Sequence, residues 1–481
     1  MIFNYAVFKT FKNKYLYDGM SGNIFEITDS FYDNHKDVFM SFLDTNLDKN
    51  NNYWREVNNL RKALKNNSLM AKPNSDIRYW FDIDDYKKVL YENIDHLMIG
   101  ITEKCNMRCS YCVYGGHYVN ERFHSNKQMS FDTLEKSIDF FFEISNKQTK
   151  IVNLYGGEPL VSFDSIKHAT DYVRMQSENT KIYITTNGTL LNEAVSEWFM
   201  ENTNVHLFVS LAGIPNRHDE LRVLANGNPT FNQIRKNLMR IKESDPVAYR
   251  DRVNIIFNVF DEIQLTELQE FWMTDSMFKG MKNLPEISFI DLEDEDGTIT
   301  KIRDRIINEY NSPRNLLDEY ISLLMKKEYD NLIVKHYDDK LMRIHRRLTD
   351  CGENILAGIC KPFMHKMYVD VNGNLHLCEN FTYGNIFGDV YDDFSMKPIE
   401  RLLDSYKHER NKTCSTCWAS KLCSLCFRDL YDRNGSINRK RAEKLCENER
   451  DGLKHLLSEY CTVLEHDTTL LDHMDNYIVH M

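Results

Sequence analysis

Between residues 95 and 310 the chain repeats one pattern six times, a short apolar run followed by an amphipathic stretch. The runs fall at 96–102, 150–155, 181–186, 205–211, 253–259 and 286–292. Apolar runs of this length, alternating with helical patterns, read as strands of a parallel sheet. In the stretch 130–146, Phe131, Leu134, Ile138, Phe141 and Phe142 recur at helical spacing behind Ser130, a good N-cap. Those phenylalanines are expected in the core. Six βα units predict an α/β fold, a partly closed (β/α)6 barrel, with its chemistry at the carboxyl ends of the strands.

Four motifs fall at such ends. After the first run comes Cys105-Asn-Met-Arg-Cys109-Ser-Tyr-Cys112, a C-x3-C-x2-C loop. Thiolates are the ligands of iron–sulfur clusters, and three of them leave one iron of a cubane open to a substrate. A zinc loop or three unrelated buried thiols are the alternatives. Zinc normally takes four ligands, no fourth residue completes a usual zinc spacing, and His117 is the nearby candidate. After the second run, Tyr155-Gly156-Gly157-Glu158-Pro159 offers paired glycines that let backbone approach a ligand. The third run ends in Thr185-Thr186-Asn187-Gly188, whose hydroxyls and amide suit a ribose, although Asn-Gly alone is a turn signal. The fourth motif is Ser210-Leu-Ala-Gly, followed by His218-Asp219 and Arg222, a residue with forked donors suited to a carboxylate.

Together, and in this order, the motifs resemble those of radical S-adenosylmethionine (SAM) enzymes, including Tyr111 just before the last cysteine. The resemblance implies a SAM-binding 4Fe–4S cluster on Cys105, Cys109 and Cys112. It implies that Gly156, Gly157 and Glu158 grip the amino group of SAM, that Thr185 and Asn187 face its ribose, and that Ser210 and Arg222 lie near its carboxylate, with Tyr111 in the same contact set. Ala212 stands where the family usually has Asp.

The cysteines are unevenly placed. Of twelve, three lie in this loop and nine follow residue 350. In a chain of this kind they read as metal ligands rather than disulfides. The run Cys414-x2-Cys417-x5-Cys423-x2-Cys426, preceded by Cys360 and Cys378 and followed by Cys446, resembles the SPASM extension of radical SAM peptide maturases, which carries two auxiliary 4Fe–4S clusters. Gly384-Asn-Ile matches a short sequence found between its two cysteine groups. The family's interleaved ligation implies one cluster on Cys360, Cys378 and Cys426, with Cys351 as a possible fourth ligand, and a second on Cys414, Cys417, Cys423 and Cys446. The family usually has three residues between its last two run cysteines, where this chain has two. Taken without the resemblance, the two C-x2-C pairs suggest a zinc knot. Cys461, beside Tyr460, Val463 and Leu464, is expected to be a buried thiol. Glu379, directly after Cys378, sits where related oxidases place an Asp and is the candidate catalytic base.

At the amino end, strand-like segments in residues 5–28 are followed by helical patterns near 30–44 and 53–65. This resembles the winged-helix-like recognition domain of peptide-modifying enzymes, which takes a leader peptide as an added strand; a structural cap on the barrel is the alternative. The expected division is a recognition domain at 1–90, a radical SAM core at 91–310, a helical linker at 311–345, a SPASM domain at 346–450 and a tail at 451–481. A net charge of −12 argues against nucleic acid as a partner. No apolar run approaches the ~18 residues that span a membrane, and residues 1–5 lack a signal-peptide layout, so a cytoplasmic location is expected.

The resemblance implies reductive cleavage of SAM to a 5′-deoxyadenosyl radical, with a flavodoxin or ferredoxin as electron donor. The radical would take hydrogen from a leader-bearing, ribosomally made precursor peptide and so install a crosslink, first of all a thioether. The alternatives within the class are a carbon–carbon crosslink and formylglycine formation in a sulfatase.

Overall fold

The computed structural model describes residues 4–43, 53–55, 57, 58, 62, 78, 79, 86–118, 123–290, 298–310, 315–347, 355, 356, 360–382, 385–392, 394–432 and 435–476. All six expected strands form: β5 His96–Thr102, β6 Ile151–Gly156, β7 Lys181–Thr186, β8 Val205–Leu211, β9 Val253–Val259 and β10 Glu286–Phe289. They pair in sequence order and in parallel. Burial alternates along β7, β8 and β9, where every second side chain is buried, while β5 is buried almost throughout. Side chains from every strand, β5 to β10, line the cavity described below.

Two further strands join this sheet from far along the chain. β12, Lys366–Val369, lies parallel to β5 with Lys366 opposite His96, and β13, Leu375–His376, turns back antiparallel beside it. The sheet therefore runs β10-β9-β8-β7-β6-β5-β12-β13, and the carboxyl-terminal region completes the wall next to the cysteine-bearing strand. A pair of two-residue strands, β4 Arg78–Tyr79 and β11 Ile355–Leu356, forms a separate parallel bridge.

Helix Phe131–Ile144 starts as expected, with Ser130 Oγ accepting from the Thr133 amide at 3.1 Å. Leu134, Ile138 and Phe141 are fully buried. Phe131 is not: it is 49% exposed and stacks on His168, while Phe140 takes the core position. The first residue of a helix lies at its rim, where periodicity is a poor guide to burial.

At the amino end, β1 Tyr5–Lys9, β2 Lys14–Asp18 and β3 Ile24–Ile27 form an antiparallel sheet in that order, followed by helix Asp29–Leu43. Most of the second helix expected near 53–65 lies outside the described residues. One face of the sheet packs with Phe31 and Val38 of the helix, whereas Ala6, Phe8 and Tyr17 on the other merge into the main core. Tyr17 meets Trp418 edge-on at 5.9 Å, and Lys421 donates to the Met20 carbonyl. Ser458 donates to the Lys9 carbonyl and Tyr15 to Glu465.

The stretch 311–345 is helical as expected, at Leu316–Lys326 and Leu332–His345, and both helices bury residues in the main core. Helix Arg439–His466 runs unbroken past residue 450, so the expected boundary with the tail falls inside one element. Among the described residues, no helix is long and apolar enough to cross a membrane.

Candidate active site

The loop after β5 is laced to the segment after β8. The Arg108 and Ser110 amides donate to the Val223 and Leu221 carbonyls at 2.8 and 2.9 Å, and the Ala225 amide to Asn106 at 2.9 Å. This lacing carries the three thiols and Arg222 to the same cavity, of ≈ 520 Å³. Every residue expected at the cofactor lines it: Cys105, Cys109 and Cys112, Tyr111, Gly156, Gly157, Glu158, Thr185, Asn187, Ser210 and Arg222.

The two glycines are explained by protein contacts. Gly156 has φ +143°, and a Cβ there would lie 2.1 Å from the Thr102 carbonyl; one on Gly157 would lie 2.4 Å from the Lys104 carbonyl. The Gly157 and Glu158 amides donate to those same carbonyls at 2.8 Å. The glycines thus seat the base of the cysteine loop against β6, a reason that their spacing alone did not disclose.

Glu158 and Asn187 are also occupied internally. Glu158, 1% exposed, accepts from the Leu160 amide and Thr186 Oγ1 on one oxygen and from the Asn187 amide on the other, at 3.0, 2.7 and 2.7 Å. Burial pushes its carboxyl up against these donors. Asn187 Nδ2 donates to Asn106 in the cysteine loop at 2.9 Å, and its oxygen accepts from Thr189. The turn after β7 therefore braces the cysteine loop. Thr185 Oγ1 reaches Asn153 at 3.4 Å.

Arg222 is 6% exposed and donates to the Tyr111 hydroxyl at 2.9 Å, while its Nε has no partner among the described residues. Burial opposes its charge, but Tyr111 and the thiols of Cys109 and Cys112 favour it. His218 fixes its backbone. The Ala212 amide donates to His218 Nδ1, so Nε2 carries the proton and donates to Thr230 Oγ1 at 3.0 Å. Thr230 in turn donates to the Arg222 carbonyl at 2.7 Å. Burial, and then Arg222, push His218 down to about 2, so it stays neutral. Asp219 caps the following turn by accepting from the Thr230 and Phe231 amides.

The cysteine loop fits an iron–sulfur cluster. Burial pushes Cys105 up to about 11 and Cys112 up to about 12, and each is raised further by the neighbouring thiols. Free thiols here stay protonated, and a bound metal is what would draw the protons off. No three Cys, His, Asp or Glu side chains among the described residues are drawn together as a single ion requires; a four-iron cluster holds its thiolates farther apart.

The later cysteines divide into two sets. Cys426 feels the charge of Cys360, and Cys378 that of Cys426. Cys414, Cys417, Cys423 and Cys446 line a separate cavity of ≈ 780 Å³. Cys423 lines this cavity and Cys426, with two residues between them, does not, which splits the second C-x2-C pair of the zinc-knot alternative. Cys351 and Gly384 lie outside the described residues. Cys461 is buried, 5% exposed.

Glu379 lines the first cavity at its far end. It pairs with Lys366 at 2.7 Å and is largely buried, its side chain 17% exposed. Lys366 is in register with His96 at the start of β5, and the cysteine loop follows the end of that strand, roughly 20 Å along it. Sequence reasoning missed His96, Lys366 and Arg428 at this end. His96 opens a run that reads as a strand, and Lys366 lies outside the six runs of the sequence pattern.

A family model described as the Radical SAM superfamily matches residues 99–262, from within β5 to just past β9. The matched stretch holds the cysteine loop, Gly156, Gly157, Glu158 and Arg222. The chain is 33% identical over 155 residues to an uncharacterized protein of Methanocaldococcus jannaschii, covering 32% of this chain and 50% of the relative. It is 23% identical over 388 residues to a serine-type anaerobic sulfatase-maturating enzyme of Bacteroides thetaiotaomicron, covering 77% and 88%. The solved structure of native anSMEcpe with bound AdoMet and Cp18Cys peptide shares the fold, with a TM-score of 0.52 at 17% identity, covering 80% of this chain and 100% of that one. The chain spans about half the length of the first of these relatives. The superfamily groups enzymes that use SAM.

Proposed function

We propose that this chain is a radical SAM peptide maturase with three 4Fe–4S clusters, and that it installs crosslinks, thioethers foremost, in a ribosomally made precursor peptide. The observation that carries the reading is the single cavity with Cys105, Cys109 and Cys112 at one end and Glu379 and Arg428, neighbours in sequence of Cys378 and Cys426, at the other. When bound, SAM and its cluster supply a carbon radical able to remove hydrogen from an unactivated carbon.

The chain's own residues position and exclude. Arg222 and Ser210 stand where a carboxylate would bind, and Tyr111 holds the Arg222 guanidinium in place. Side chains of β5–β10 wall the path between the two ends. Near the Cys378 set, Glu379 is the candidate proton acceptor, its carboxylate held ready by Lys366. The docked amino-terminal sheet is the proposed leader-binding element, and a flavodoxin or ferredoxin the proposed donor. A peptide substrate agrees with the fold, which holds a Cp18Cys peptide in anSMEcpe.

Formylglycine formation is the second reading, favoured by the length over which the sulfatase-maturating relative aligns. The test is co-expression without oxygen with short cysteine-bearing peptides, in parallel with a sulfatase-type peptide, followed by mass measurement. Loss of two hydrogens with thiols that no longer alkylate supports the thioether, and the same loss with reactive thiols a carbon–carbon link. A hydrazide-reactive aldehyde on the sulfatase peptide alone establishes the second reading. Absence of SAM consumption on reduction refutes both.

A further inference from the structure

Helix Lys397–Cys414 carries Tyr406, Arg410 and Cys414 at intervals of four, along one stripe. All three are buried, Arg410 at 4% exposure. A guanidinium is always charged, and a buried cation needs an anionic partner. Arg410 finds none among the described carboxylates. Its Nη1 donates to Cys446 Sγ at 3.3 Å and its Nη2 to Cys423 Sγ at 3.9 Å, and its Nε has no partner among the described residues. The Tyr406 ring packs against it at 5.8 Å.

The other thiol set differs. The cations beside it are already neutralised, Lys366 by Glu379 and Arg428 by Asp429. One set of four thiols therefore faces an uncompensated buried cation, and the other faces paired ones.

We propose that Arg410 is the positioning residue of the four-thiol site, and that its charge makes the cluster there the more easily reduced of the two auxiliary clusters. This rests on the reading of both sets as cluster sites. Four thiolates on a cubane leave the site net negative, and reduction adds one more electron. A guanidinium within hydrogen-bonding reach, in a site of low dielectric, stabilises the reduced form more than the oxidised one. Electrons leaving the substrate cavity by way of the Cys378 set would then run downhill to the Cys446 set.

The test is a potentiometric titration of the full chain followed by electron paramagnetic resonance, with iron counted in each sample and the Cys446→Ser variant used to assign the signal. Arg410→Gln should lower the midpoint of this cluster alone, or empty this site alone. Arg410→Lys, which keeps the charge and loses the fork, should keep the cluster and restore part of the shift. An Arg410→Gln protein with full iron and an unmoved midpoint overturns the inference and leaves the three-cluster reading intact. Equal behaviour of the Gln and Lys variants overturns it as well. A wild-type chain whose four thiols hold zinc, or no metal, defeats the underlying reading instead.

Discussion

Glu158 gives both carboxylate oxygens to three donors within its own fold. In Glu158→Gln one end of the side chain becomes a donor facing donors, which costs about 1–3 kcal/mol. Calorimetry should show the melting temperature falling accordingly, and the turn 186–189 should exchange its amides faster. Glu379 is a different case. It pairs with Lys366 at 2.7 Å and directly follows Cys378 in the chain. Glu379→Gln should keep reductive SAM cleavage, measured as 5′-deoxyadenosine, and lose peptide product. Product formation at the wild-type rate removes Glu379 from the mechanism. The motif residues were legible in the sequence as a set, because they are contiguous and fall at strand ends. Their individual duties were not. The roles of Gly156, Gly157, Glu158 and Asn187 depend on the carbonyls and amides of the cysteine loop, which arrive from fifty or more residues away.

The carboxyl-terminal elements are held by polar pairs within a buried frame. His473 places Nδ1 on the Leu470 carbonyl and Nε2 on Asp338, both at 3.0 Å. Both partners accept, so both ring nitrogens carry protons. Burial works against that charge, but Asp338 outweighs it and raises the imidazole above its ordinary 6.5. The folded chain therefore binds this proton more tightly than the unfolded one. The stabilisation is complete below 6.5 and fades as pH rises through the raised value. The melting temperature of the wild type should fall over that window, and His473→Gln should flatten the fall; identical profiles would remove this pair as the cause. Tyr320 donates to the same Asp338, tying helices Leu316–Lys326 and Leu332–His345 together. A stretch that reads as a charged linker is in this way a packed layer against helices Leu265–Thr274 and Arg439–His466.

At the scale of the whole molecule, the amino-terminal sheet is seated on the cysteine-rich region. A Cβ on Gly19 would come within 2.6 Å of the Trp418 backbone, and Trp418 itself lies between Cys417 and the buried Lys421. Trp418→Ala should cost about 3–5 kcal/mol at this junction. Hydrogen exchange is expected to rise in β1 and β2 and to stay unchanged in β6–β9. The sequence alone determined the six strands, the helices between them and the cysteine loop, because strand period, caps and ligand spacing are local properties of the chain. It also determined which cysteines are available to each thiol set. Only the tertiary structure decided that β12 pairs with β5, that Cys423 and Cys426 part company, and that Arg410 meets sulfur rather than a carboxylate. Each of these depends on which distant segment arrives alongside, and the pairing of His96 with Lys366 across 270 residues leaves no periodic trace in either segment.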